Sequence, residues 1–168
     1  VHASSTMMAT ALRQVLAYTH EQKRQRGVDQ MLLRLYEPIL WRALKVANPH
    51  VRRNAATLFV EAFPLQDPTR PMVGLDALLQ LQFEALSSLL RDSAVAVRVV
   101  AVQGVCRVVA LYFPELLPPQ TAKALLSTLV KELAHDASAN TVRVAVFQGL
   151  KFLVAQNGSV ATLSLVKS

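Results

Sequence analysis

Val97-Arg98-Val99-Val100-Ala101 has a counterpart on either side: Val51-Arg52-Arg53-Asn54-Ala55 before it and Val142-Arg143-Val144-Ala145-Val146 after it. The Val-Arg pairs stand 46 and then 45 residues apart. Gln103-Gly104 and Gln148-Gly149 recur at one offset from the last two pairs. Two matches in phase mark an internal repeat, and the interval lies in the window of about 40–47 residues that paired-helix repeats occupy.

Each Val-Arg follows a polar turn: Ala47-Asn48-Pro49-His50, Arg91-Asp92-Ser93 and His135-Asp136-Ala137-Ser138. Asn, Asp and Ser there can accept hydrogen bonds from the open N–H groups of a following helix. Ahead of each turn runs an apolar stripe at helical spacing. The first is Leu32, Leu35, Tyr36, Ile39, Leu40, Ala43 and Leu44. The second is Leu78, Leu79, Leu81, Gln82, Leu86, Leu89 and Leu90, and the third Leu125, Leu126, Leu129, Val130 and Leu133. Pro64, Pro68 and Pro71, then Pro114, Pro118 and Pro119, separate the units, because proline ends a helix. Pro38 falls inside the first leucine helix and predicts a kink or a break there.

A lone helical hairpin cannot bury its stripe, so such units stack, and about three are needed for stability. The fold class expected is all-α, a HEAT/armadillo-like α-solenoid of stacked antiparallel helix pairs. Its expected divisions are a preceding helix and connector over 1–29, repeats over 30–66, 75–113 and 119–156, and the start of a further unit over 157–168. Neither end resembles a polar cap, so the chain reads as a fragment of a longer superhelix.

The sequence is 52% hydrophobic and 6% aromatic, too apolar for a disordered tail. Ala94 to Phe113 is apolar enough to raise a membrane span, but Arg98 and Arg107 would each cost ~2.5–3.5 kcal/mol at a bilayer centre. A buried solenoid helix accounts for it without that cost. The single cysteine, Cys106, excludes a disulfide framework and reads as a small buried hydrophobe in a reducing compartment. The five glycines are scattered, the four histidines lack metal-ligand spacing, and no nucleophile has a partnered base. The reading is therefore of no catalytic residues, no metal, no cofactor, no small-molecule substrate and no membrane.

The net charge of +7 is uneven. Residues 1–53 hold nine Lys or Arg against Glu21, Asp29 and Glu37, a net of +6, and the rest of the chain has a net of +1. Lys23, Arg24 and Arg26 cluster. Arg34 and Lys45, about three helical turns apart, share one face with Trp41 between them and Arg42 to one side. Such a face suits a phosphate backbone; the plainer alternative is a solvated helix surface. Arg52, Arg98 and Arg143 recur with the fold and read as structural, with Asp92 and Asp136 as suitable carboxylate partners. Arg53 has no cationic counterpart, since Val99 and Val144 take its place, and so joins the DNA candidates Lys23, Arg24, Arg26, Arg34, Arg42 and Lys45.

Leu35-Tyr36-Glu37-Pro38-Ile39-Leu40-Trp41-Arg42 and Asn54-Ala55-Ala56-Thr57-Leu58-Phe59-Val60-Glu61-Ala62-Phe63-Pro64-Leu65-Gln66-Asp67-Pro68 closely resemble the G-type HEAT-repeat subunits of condensin II. The resemblance continues through Gly104-Val105-Cys106, Glu132-Leu133-Ala134 and Val142-Arg143 and spans roughly residues 10–155. It implies a nuclear, chromosome-associated scaffold. Its implied partners are the kleisin and other condensin subunits and double-stranded DNA in chromatin, and its implied role is mitotic chromosome condensation, with the ATPase chemistry in other chains. The kleisin-contacting residues are unknown at this level. The competing expectation is a protein-only adaptor, of the transport-receptor or phosphatase-scaffold type, with no DNA binding.

Overall fold

A computed structural model describes residues 6–23, 25–67, 69 and 71–156, the side chains of residues 6, 72 and 73 excepted. Arg24, Pro68 and the further unit expected from residue 157 lie outside the described residues. Among those described there is no strand. The helices are α1 (Thr6–Glu21), α2 (Val28–Ala43), α3 (Pro49–Ala62), α4 (Met72–Leu90), α5 (Val95–Tyr112), α6 (Pro119–Ser127) and α7 (Asn140–Gln156). A π turn at Thr128–Glu132 and a 3-10 turn at Leu133–His135 prolong α6. This all-helical order is consistent with an α-solenoid. The chain divides into two compact units, with the boundary inside α4 between Glu84 and Ala85.

In the first unit, α2 packs on α3, and the core holds Leu32, Leu33, Tyr36 and Leu40 of α2, Leu44 at its end, Ala55, Ala56, Phe59 and Ala62 of α3, and Leu65, Leu78 and Phe83. Asn48 caps α3 by accepting the His50 N–H at 2.9 Å, and Pro49 fills the first helical position, where no N–H is needed. A column of rings runs Trp41, Phe59, Phe63, Phe83, with successive centroids 5.7, 6.2 and 6.1 Å apart. Such edge and tilted contacts add to plain area burial. Gln82 is fully buried and clamps the link after α3: its Oε1 accepts the Leu65 N–H, and its Nε2 donates to the Leu65 carbonyl, both at 2.8 Å.

Two local expectations change. The helix α2 is continuous through Pro38. Pro38 is exposed, so water can reach the carbonyl that loses its helical donor. Leu35 and Ile39, assigned to the buried stripe, are 48% and 64% exposed, while Leu33 is buried in their place. Apolar residues cover more than half of this helix, and packing against α3 selects which part turns inward.

In the second unit α5 is the central element. It is apolar enough to cross a membrane by length and composition, yet Val97, Ala101, Val102, Val105, Cys106, Val108 and Val109 are all packed inside the protein. Val, Ala and Gly suit a helix enclosed on several sides. Gly149 of α7 lies directly against Cys106. Leu125, Leu126, Leu129 and Leu133 bring the α6 segment onto the same core.

Candidate nucleic-acid interface

The repeat arginines share a local geometry. Arg52 donates from one Nη to the carbonyls of Val46 and Ala47 at 2.8 and 2.7 Å. Arg98 donates likewise to the carbonyls of Asp92 and Ser93 at 2.8 and 3.2 Å. Arg143 reaches the Asp136 carbonyl and the Asn140 side chain. Each guanidinium thus ties a helix back to the turn before it, satisfying carbonyls that no helix would pair. Arg98 does more: its Nη2 lies 3.0 Å from Asp136 Oδ2, and the two side chains are only 10% and 9% exposed. The Asp136 carboxyl is held below its ordinary value, chiefly by the Ser138 hydroxyl and with help from the Ser138 amide and the Arg98 charge. Asp92 turns its own carboxylate to the Ala94 N–H at 2.7 Å.

The basic residues of the N-terminal third separate into two groups. Arg26, in the turn before α2, Arg34 and Arg42 on α2, Lys45 just beyond it and Arg53 on α3 are all exposed. Lys23 is half-buried, and its ammonium donates to the Ala62 carbonyl at the end of α3. A cation there also meets the negative end of the helix dipole. Trp41 is half-buried edge-on against Phe59, so α3 covers it and its ring belongs largely to the core.

Between α1 and α3 lies a cleft of about 530 Å³ whose lining includes Arg13, Gln14, Arg53, Asn54, Thr57 and Glu61. Two guanidiniums and two carboxamides around one concavity can hold an anion, with Glu61 as a counterweight on one wall; the Thr57 hydroxyl donates to the Arg53 carbonyl. Arg13 gave no signal in the sequence, because it stands alone on its helix and meets Arg53 only through folding. In the last turn of α1, His20 shares a hydrogen bond of 2.9 Å with Tyr36, and its Nδ1 lies 3.8 Å from Glu61. Burial, with the Glu61 charge, pushes the Tyr36 hydroxyl up to about 12, so it stays protonated. An apolar groove of about 400 Å³ opens on the same unit, with Leu16, Leu35, Ile39, Val51, Ala55 and Leu58 among its lining.

The family model described as the condensin II non structural maintenance of chromosomes subunit matches residues 1–67, the stretch that holds every one of these cations. Condensin-2 complex subunit G2 of Homo sapiens is 47% identical over 144 residues, covering 85% of this chain and 12% of the relative. The Xenopus laevis and Mus musculus subunits are 46% and 45% identical over 143 residues, with the same coverage of both chains. This chain belongs to the condensin II non-SMC subunit family. It spans about an eighth of the length of those relatives. No solved structure matches it.

Within this condensin II non-SMC chain, the first unit therefore presents two surfaces of opposite character. One is the set of exposed cations on α2 and α3 together with the Arg13–Arg53 cleft, and the other is the apolar groove. Among the described residues no cluster of His, Cys, Asp and Glu suits a metal ion. Cys106 is buried, and its thiol is pushed up to about 12 by that burial, which leaves it un-ionised and poorly nucleophilic.

Proposed function

We propose that this chain is a run of HEAT repeats, over 30–66, 75–113 and 119–156, that serves condensin II as a non-catalytic scaffold on nuclear chromosomes. In this reading it binds double-stranded DNA and a segment of the kleisin subunit, and so supports mitotic chromosome condensation. The observation that carries the DNA reading is the exposure of Arg26, Arg34, Arg42, Lys45 and Arg53, while Lys23 is engaged by the Ala62 carbonyl. Arg13 joins them across its cleft. Long, solvated cations track a phosphate backbone without reading sequence, and most of the binding free energy is then counterion release.

The apolar groove of the first unit supports the kleisin reading. An amphipathic segment can lay its apolar side against Leu16, Leu35, Ile39 and Leu58. Arg52, Arg98 and Arg143 hold turns in this account and touch neither partner.

The test is a gel shift on a short duplex at two salt concentrations, beside a pull-down with the kleisin. Neutralising Arg26, Arg34, Arg42, Lys45 and Arg53 together should weaken the duplex complex and leave kleisin capture intact. Kleisin capture with no duplex binding by the unmodified chain would instead select the protein-only adaptor.

A further inference from the structure

The second unit presents a surface that the DNA reading does not use. Gln103 on α5 and Gln148 on α7 stand at the same offset from Arg98 and Arg143, and both are exposed. Each is followed by a buried glycine, Gly104 and Gly149, so the two helices are turned alike at this level. One helical turn further on, each carboxamide has an exposed cation as a surface neighbour, Arg107 and Lys151. Phe152, 39% exposed, stands beside Gln148. Neither α5 nor α7 contains an aspartate or glutamate anywhere along its length.

The spacing is informative. Packed helices lie ~8–10 Å apart, and a contact through glycine, as at Gly149 against Cys106, belongs to the short end of that range. A polyproline II strand completes one turn in three residues with a rise of ~3.1 Å each, so its backbone groups recur in the same orientation every ~9 Å. It forms no internal hydrogen bonds, which leaves N–H and C=O groups open. A carboxamide offers one donor face and one acceptor face and can engage both.

We propose that the exposed face of α5 and α7 binds an extended acidic peptide in the polyproline II conformation. Gln103 and Gln148 would grip its main chain one turn apart, and Arg107 and Lys151 would meet carboxylates recurring every third residue. The proposal rests on the scaffold reading of this chain and not on the DNA reading, whose cations lie on other helices.

The test uses the whole chain and fluorescence anisotropy with a labelled peptide repeating Glu-Pro-Val. Its counterpart N-methylated at the Glu and Val amides and a short DNA duplex serve as comparison ligands. The expected result is saturable binding of the plain peptide and at least about tenfold weaker binding of the N-methylated one. Gln103→Leu/Gln148→Leu should lose about tenfold for the peptide and nothing for the duplex. Arg107→Gln/Lys151→Gln should remove most of the salt dependence. All four positions are exposed, and an unchanged melting curve confirms that each variant folds. Absence of peptide binding, or indifference to N-methylation and to the glutamine variants, overturns the proposal. So does a loss of duplex affinity in the glutamine variant, which assigns the face to DNA. Loss of duplex binding on neutralising Arg34, Arg42, Lys45 and Arg53 bears only on the DNA reading.

Discussion

A side chain at Gly149 would collide with Cys106: a Cβ placed there lies 2.4 Å from the Cys106 Sγ. Cys106 is buried, so the sulfur can yield only by disturbing its packed neighbours. Gly149→Ala should therefore destabilise the protein by about 1–3 kcal/mol, measured by urea denaturation. Adding Cys106→Ala should recover part of the loss. Purely additive effects would mean that the two helices do not meet at this point.

Among the described residues Arg98 is the cation most enclosed by protein. Replacing it with leucine removes the donor for the Asp92 and Ser93 carbonyls and takes the counter-ion from Asp136, a change worth about 2–3 kcal/mol. Asp136 keeps its bonds from Ser138 and Ala139. Arg34→Leu, at an exposed position, should fall within about 0.5 kcal/mol of wild type.

Asp136, held chiefly by the Ser138 hydroxyl and helped by Arg98, sets a dependence on pH. Folding lowers the Asp136 pKa below its ordinary 3.8, so the group's stabilisation is complete above that value and fades as pH falls through the lower, folded-state pKa. Asp136→Asn should be clearly less stable than wild type at neutral pH, with the gap narrowing in acid below about pH 4. A gap of constant size across that range would show that the charge of Asp136 is irrelevant to folding.

Gln82→Leu tests the link after α3. The substitution fits an apolar stripe, yet it leaves the buried N–H and C=O of Leu65 without their partner, at about 1–3 kcal/mol for each stranded group. The expected loss is about 2–4 kcal/mol by thermal or urea unfolding. A neutral result would place the glutamine bonds among the dispensable ones.

The helices themselves were legible in the sequence, because stripes, caps and prolines are local signals. The direction each stripe faces was less so. On α2, Leu32, Leu33, Leu35, Tyr36, Ile39 and Leu40 leave little polar surface to orient the helix, and only contact with Phe59 and its neighbours separates Leu33 from Ile39. Gln82 counts with the apolar stripe by position alone, and its partner lies 17 residues away in a link whose path no pattern reveals. Asp136, the carboxylate that Arg98 meets, is 38 residues distant.

The candidate site divides along the same line. A run of basic residues is visible in any sequence, whereas the separation of Lys23 from its exposed neighbours depends on where α3 ends. Arg13 and Arg53 share a cleft only because α1 lies across α3, and nothing near Arg13 announces it.

The most direct measurement is the salt dependence of duplex DNA binding by the wild-type chain and by the variant lacking Arg26, Arg34, Arg42, Lys45 and Arg53. Each phosphate contact contributes ~0.9 to the slope of log affinity against log salt, so the slope should fall by about 2–4 in the variant. A strong wild-type slope that persists undiminished in the variant would contradict the account.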